Sequence, residues 1–208
     1  MKYCIYVIGL FILTLGISLT IQSSIGTSPF DALLVGMSRN IGLTVGSWEI
    51  IIGVVLLGCN ALFKKQKPEI LGLVTAFITG IGIDMWLFLF SHILIPELWY
   101  TKAICFGIGL IVVGLGTAIY LYTNFAAIPV DRSTLILQEI TGKSIFFART
   151  TIYLIFLILA LIFGGPIGIG TVLSVCFGGI ILNFFMPLTK KMLKPILVVP
   201  VAASEQKA

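Results

Sequence analysis

Long apolar runs separated by short polar segments dominate this chain. A helix crosses the hydrocarbon core of a bilayer with about 20 residues, and six of the runs are close to that length. The pattern predicts membrane-spanning helices at residues 3–23, 46–63, 69–91, 103–123, 145–163 and 167–188. Two shorter and more polar segments, 29–40 and 129–141, are predicted to be additional helices that do not cross.

The composition supports this interpretation, because 59% of the residues are hydrophobic and only 10% are charged. Soluble domains carry about 25% charged residues. The net charge of +5 comes from basic residues placed in short clusters between apolar runs, which is typical of membrane topology control rather than nucleic-acid binding. The sequence therefore predicts an all-α integral membrane protein whose main partner is the lipid bilayer. The first apolar run is longer than the core of a signal peptide, so a retained helix is expected.

Lysine and arginine are unevenly distributed around the six predicted spans. With the N-terminus on one side, the opposite side receives only Arg39 and Lys102. Because loops rich in these residues face the cytoplasm, both termini are predicted to be cytoplasmic. The basic residues assigned to the cytoplasmic side are Lys2, Lys64, Lys65, Lys67, Arg132, Lys143, Arg149, Lys190, Lys191, Lys194 and Lys207.

An internal repeat appears when the sequence is shifted by one hundred residues. Matches of glycine, proline and aspartate are the informative ones: Gly9 with Gly109, Gly16 with Gly116, Pro29 with Pro129, Asp31 with Asp131, and Gly42 with Gly142. After a two-residue adjustment, Pro68 and Gly72 match Pro166 and Gly170. Each half contains three crossings, so the second half is predicted to be inverted relative to the first, an arrangement common in secondary transporters. The predicted units are 1–101 and 102–194, followed by a cytoplasmic tail at 195–208.

The first short segment has the residues of a helix start. Ser28 suits the position that caps the helix, Pro29 suits its first turn, and Asp31 can bond back to the cap. Gly26 and Thr27 precede them, and Pro129 with Asp131 repeats the pattern without the serine. Asp31 either caps a short helix and does nothing more, or helps to present the positive end of that helix to a polar cavity.

Charged residues inside or beside the spans are the candidates for a solute or ion pathway, because acidic groups are costly in lipid. The predicted outward group is Asp31, Glu49 and Asp84, and the predicted inward group is Asp131, Arg132 and Arg149. Asp84 has a structural alternative, as the partner of another polar group. We expect Arg149 to pair with Asp131, and Arg39 to pair with Glu49 or Asp31. These pairs are either gates or static ties.

The glycine-rich segment 164–171 resembles a nucleotide-binding loop only superficially, since it lacks the required lysine and joins two apolar helices. Close helix packing through small residues is the better interpretation. The glycines predicted to serve packing are Gly16, Gly116, Gly165, Gly168 and Gly170. No cysteine pair has metal-ligand spacing and His92 is the only histidine, so we expect no metal, no cofactor and no enzymatic activity.

Several of these motifs resemble the bacterial YczE/YyaS/YitT membrane proteins. The resemblance covers nearly the whole chain and is carried by Gly26 to Leu33, Gly42 to Trp48, Gly82 to Asp84, Arg149 and Gly164 to Thr171. It implies a bacterial cytoplasmic-membrane protein, but this family has no generally established substrate.

Two classes of function follow from these patterns. The first is a small secondary transporter of an unidentified small solute, in which desolvated carboxylates couple transport to protons. The second is an accessory protein without transport activity that binds partners or anionic lipids through its basic cytoplasmic face, including Lys190, Lys191 and Lys194. A homodimer is compatible with either class.

Overall fold

The structure is a computed structural model that describes residues 2–67, 69–91 and 93–194. Within these ranges the chain forms eight α-helices and no β-strand. The helices are α1 (Lys2–Gln22), α2 (Pro29–Ile41), α3 (Val45–Lys64), α4 (Ile70–Phe90), α5 (Trp99–Tyr122), α6 (Pro129–Thr141), α7 (Ile145–Ile162) and α8 (Ile169–Leu193). The predictions that concern Pro68, His92 and the tail at 195–208 lie outside the described residues.

Six of these helices are long and apolar enough to cross a membrane, and they coincide with the six predicted spans. Two boundaries differ from the prediction by more than two residues. Helix α5 begins at Trp99 rather than at residue 103, because aromatic residues are as acceptable at a membrane-facing helix start as aliphatic ones. Helix α8 continues through Pro187 to Leu193, which a spanning helix tolerates where neighbouring groups satisfy the freed backbone.

The two short helices, α2 and α6, begin at equivalent prolines but are capped differently. Ser28 caps α2, and its side chain accepts a hydrogen bond from the backbone N–H of Asp31. Helix α6 follows Ile128, which offers no side-chain cap. The apolar face of α2 packs on α7, where Phe30 and Phe156 meet with ring centroids 5.0 Å apart. Each short helix is therefore anchored by packing against a long one.

Helices α1 and α5 cross closely at the centre of the molecule. Their backbones approach at glycines, since a Cβ at Gly16 would lie 2.5 Å from the backbone nitrogen of Val113. A Cβ at Gly116 would likewise overlap the backbone of Leu13. Around this pair, α4 packs on α1, α8 packs on α5, α7 packs on α2, and α3 packs on both α4 and α6.

Helices α3 and α4 pack closely against each other, whereas the equivalent helices α7 and α8 do not in the described residues. Gly46 and Gly80 bring α3 and α4 together so closely that a Cβ on Gly46 would overlap the carbonyl oxygen of Gly80. In contrast, a Cβ on Gly178 of α8 would meet nothing within 4 Å. Open space therefore separates α7 from α8 along part of their length.

Candidate functional site

The start of α2 is a closed polar cluster. The hydroxyl of Ser28 donates to Oδ2 of Asp31 at 2.6 Å, and the backbone N–H of Asp31 donates to Ser28 Oγ at 3.2 Å. Thr27 and Thr20 share a hydrogen bond of 2.9 Å behind this pair. Asp31 is only 7% exposed, and burial raises its pKa to about 6, although its serine partner opposes the shift. This carboxyl group lies on α2, outside the six spans.

The segment that joins α7 to α8 lies directly against the start of α2. Gly26 has a φ of +109° and contacts this segment, so that a Cβ there would lie 2.8 Å from Thr171 Oγ1. The backbone N–H of Gly170 donates to the carbonyl oxygen of Ile25 at 2.9 Å. A side chain at Gly165 or Gly168 would collide with the backbone before or within α2. The glycines therefore allow two loops and a helix end to share one small volume.

A cavity of about 70 Å³ lies beside this cluster, which is room for a few water-sized molecules. Arg149 and Tyr153 of α7 form another wall, and Arg149 donates from Nη2 to the Tyr153 hydroxyl at 3.0 Å. Its guanidinium also lies 5.3 Å from the centroid of the Tyr153 ring. The lining residues are Thr20, Ser28, Asp31, Leu110, Val113, Gly114, Thr117, Arg149, Tyr153, Ser174, Gly178 and Leu182.

A further acidic group, Glu49, lies within electrostatic reach of both Asp31 and Asp131. Glu49 is 4% exposed and accepts a hydrogen bond from Thr79 Oγ1 at 3.1 Å. The charges of Asp31 and Asp131 both act on it. Asp131 accepts a hydrogen bond from the hydroxyl of Tyr120. The two Pro-x-Asp helices therefore begin near a common polar region in the interior of the helix bundle.

Asp84 has a different environment. Its Oδ1 accepts from the backbone N–H of Gly46 at 2.8 Å, and its Oδ2 accepts from Thr44 Oγ1 at 2.5 Å. Thr44 is the N-cap of α3, so Asp84 stabilises the start of that helix from the neighbouring α4. This geometry favours the structural interpretation of Asp84.

The expected ion pairs of Arg149 and Arg39 are wrong. Among the described residues, salt bridges within 4 Å join Lys64 to Glu139 and Arg132 to Glu69. Arg149 instead bonds to Tyr153, because both lie on the same face of α7, and Arg39 is exposed near the end of α2. Both observed pairs involve α6, and the one from Lys64 ties it directly to α3.

The cavity combines residues that the sequence placed in separate outward and inward groups. Asp31, from the predicted outward group, lines the same cavity as Arg149, from the predicted inward group. Arg132 lies in another crevice, together with Lys64 and Glu69. The cause is that α2 packs on α7 rather than on its own half alone, which brings residues distant in sequence to one place.

Sequence reasoning missed the two tyrosines of this region. Tyr153 follows Arg149 by four residues, the spacing that places two side chains on one helix face. Tyr120 is buried and stands where the first half has Thr20. A tyrosine in the middle of an apolar run could have indicated this region, because a buried tyrosine hydroxyl needs a hydrogen-bond partner.

The chain matches the family DUF6198, described as a family of unknown function, over residues 1–187. It belongs to this family. YyaS of Bacillus subtilis (strain 168), named an uncharacterized protein, is 60% identical over 191 residues, which are 92% of this chain and 95% of YyaS. YczE of the same organism, named an uncharacterized membrane protein, is 35% identical over 196 residues, or 93% of this chain and 89% of YczE.

An uncharacterized protein of Haemophilus influenzae is 27% identical over 189 residues, which are 90% of this chain and 84% of that protein. The predicted relationship to YczE and YyaS is therefore confirmed. Together with the six long apolar helices, it identifies a multi-pass membrane protein. No solved structure matches the chain.

Proposed function

We propose that this protein is a small secondary transporter that carries a small solute across the bacterial cytoplasmic membrane. One observation carries the proposal: a cavity inside the helix bundle brings Asp31 of α2 and Arg149 of α7 to the same small space. Charged groups within membrane helices are costly, and they commonly mark substrate or ion pathways. The positive end of a short, non-crossing helix at this cavity is a further feature of transporter binding sites.

Matched contacts in the two halves support an inverted repeat of residues 1–101 and 102–194. A Cβ at Gly9 would lie 2.8 Å from the backbone nitrogen of Tyr120, and a Cβ at Gly109 would lie 2.9 Å from that of Thr20. These two contacts interchange under a shift of one hundred residues. The packing of α2 on α7 and of α3 on α6 interchanges in the same way. Two halves related by a pseudo-two-fold axis would produce this pattern.

The basic clusters support a topology in which both termini are cytoplasmic. With that topology, the Lys64–Glu139 and Arg132–Glu69 pairs lie near the cytoplasmic face. They hold α6 against α3 and the start of α4, which would close the route to the cytoplasm. Breaking them would let α6 move and open the cavity inward. This step needs no enzymatic chemistry and no cofactor.

Asp31 is the residue that we expect to couple transport to protons. Its pKa of about 6 lies close to neutral, so a modest change of surroundings would load or release a proton. Opening the cavity to water would lower the pKa by relieving desolvation. Closing it would favour protonation.

Purified protein in liposomes tests the proposal by solute uptake and by internal pH. Uptake with proton movement is expected for the natural protein, and loss of uptake is expected for Arg149→Gln. Arg39→Gln is the matched control, because Arg39 is exposed and does not line the cavity. Folding of each variant is checked by size-exclusion chromatography. Uptake that is equal in Arg149→Gln and in the natural protein would reject the transport site.

The alternative function, a membrane accessory protein, is favoured by the exposed basic end of α8. Lys190 and Lys191 lie in its last turn, and both are exposed. Each could attract anionic lipid headgroups with about 1 kcal/mol. This alternative predicts that reversing these charges impairs the protein, whereas neutralising Asp31 or Arg149 has little effect. The transporter proposal predicts that neutralising Asp31 or Arg149 impairs the protein more than reversing the charges of Lys190 and Lys191.

A further inference from the structure

The two charged side chains of the cavity form no close ion pair within the described residues. Arg149 and Asp31 line the same space, yet neither belongs to an ion pair within 4 Å among the described residues. Asp31 is buried and Arg149 is half-buried. A buried charge without a close partner is destabilising in a low-dielectric environment. A bound solute with complementary charges would remove this cost.

Arg149 has unused hydrogen-bonding capacity. A guanidinium offers five N–H donors, and the structure assigns one hydrogen bond to it, from Nη2 to Tyr153. The ring of Tyr153 supports the guanidinium from one side and fixes its direction. A planar fork held in this way binds a carboxylate with two parallel hydrogen bonds.

Asp31 offers the opposite charge on another wall of the cavity. Ser28 donates to only one of its carboxylate oxygens, Oδ2, at 2.6 Å. A carboxylate accepts about four hydrogen bonds, so beside Ser28 and Thr27 it keeps capacity for an ammonium group, which donates up to three. Ser28 and Thr20 add further acceptors beside it. This wall therefore suits a small cation.

The rest of the lining is mainly apolar and small. Leu110 and Val113 of α5 and Leu182 of α8 line the cavity, and Gly178 leaves open space beside them. At about 70 Å³, the cavity suits a short aliphatic group rather than a sugar or a nucleotide.

We propose that the cavity binds a small zwitterionic solute of the amino-acid class. Arg149 would hold its carboxylate, Asp31 would hold its ammonium group, and a short apolar side chain would pack against Leu110, Val113 and Leu182. The inference rests on the proposed function for movement of the solute across the membrane, but binding itself can be measured without transport.

Radiolabelled L-alanine and purified full-length protein in lipid nanodiscs provide the binding test. Saturable binding is expected, and unlabelled propionate and ethylamine should compete at least about tenfold less well than L-alanine. Propionate lacks the ammonium group and ethylamine lacks the carboxylate, so each loses one of the two charged contacts. Competition by either analogue as strong as that by L-alanine would overturn the inference.

Variants identify which wall holds which group. Arg149→Gln should abolish the advantage of L-alanine over ethylamine, and Asp31→Asn should abolish its advantage over propionate. Arg149→Lys keeps the charge but loses the planar fork, so partial binding is expected. Arg39→Gln should bind as the natural protein does. L-alanine binding that is indifferent to both cavity variants would overturn the assignment.

Uptake into liposomes separates this inference from the transport proposal. L-alanine that binds with the predicted dependence but is never taken up would leave the zwitterion site standing and reject transport. Uptake of another class of solute that depends on Arg149, with no binding of glycine, L-alanine or L-valine, would leave transport standing and overturn the zwitterion site.

Discussion

Individual side chains in this protein divide into those that hold helices in place and those that face the cavity. Asp84 and Asp31 are both acids near helix starts, yet only Asp31 lines the cavity. The two carboxylate oxygens of Asp84 accept hydrogen bonds from Thr44 and from the backbone N–H of Gly46. Sequence alone could not separate these roles, because both residues occur in short motifs beside glycine and an apolar run.

Replacing Asp84 with alanine is expected to lower stability without altering the site. Hydrogen bonds to a charged group contribute roughly 1.5–3 kcal/mol, so the free energy of unfolding should fall by about that amount. Thermal unfolding in detergent and L-alanine binding measure the two effects. A variant that keeps its stability but loses L-alanine binding would instead place Asp84 in the binding site.

Binding of L-alanine is expected to depend on pH through Asp31. With a pKa of about 6, this acid is ionised above that pH and neutral below it. Both charged groups of L-alanine persist between about pH 5 and 7, so affinity should weaken as the pH falls, by about tenfold at pH 5. Asp31→Asn should bind weakly and show a flat profile. A natural protein with a flat profile over this range would contradict the role of Asp31.

At the scale of helices, the main difference between the two halves is the gap between α7 and α8. Gly80 of α4 and Gly178 of α8 are matched by the adjusted repeat, but only Gly80 lies against another backbone. At the position equivalent to Gly46, the second half has Phe146, which is 77% exposed. A phenylalanine cannot make the close backbone contact that Gly46 makes with Gly80 in the first half.

Alanine substitutions at the matched glycines test this difference. Gly80→Ala should destabilise the protein by about 1–3 kcal/mol, because its Cβ would lie 2.5 Å from the carbonyl oxygen of Gly46. Gly178→Ala should not destabilise it, since its Cβ enters open space and alanine favours the helix. Thermal unfolding of the two variants gives the comparison. Equal destabilisation would mean that α7 and α8 are packed as closely as α3 and α4.

Helix positions were predictable from the sequence, whereas helix contacts were not. An apolar run of sufficient length identifies a span such as α4 whatever lies beside it, and the Ser28-Pro29 start located α2. The pairing of α2 with α7 depends on three-dimensional packing, which no local pattern encodes. For that reason the sequence identified Asp31 and Arg149 as candidates but assigned them to different sites.

At the scale of the whole molecule, the proposed inverted repeat would explain how so short a chain builds a shared polar interior. Each half supplies one short helix that begins inside the bundle, and each packs on a long helix of the other half. The two halves differ near the proposed site, since Thr20 and Gly53 of the first half correspond to Tyr120 and Tyr153 of the second. The similarity of the two halves would determine the arrangement of the helices, and the residues that differ between them would produce a single cavity.

The most direct test of the inverted repeat is the sidedness of its equivalent turns. Two variants are made in a protein that lacks the natural cysteines: one carries a single cysteine at Leu43, after α2, and the other at Lys143, after α6. A membrane-impermeant maleimide is then added to intact cells. Labelling of the Leu43 position, with the Lys143 position protected until the cells are opened, is the predicted result. Labelling of both positions from the same side would contradict the inverted repeat.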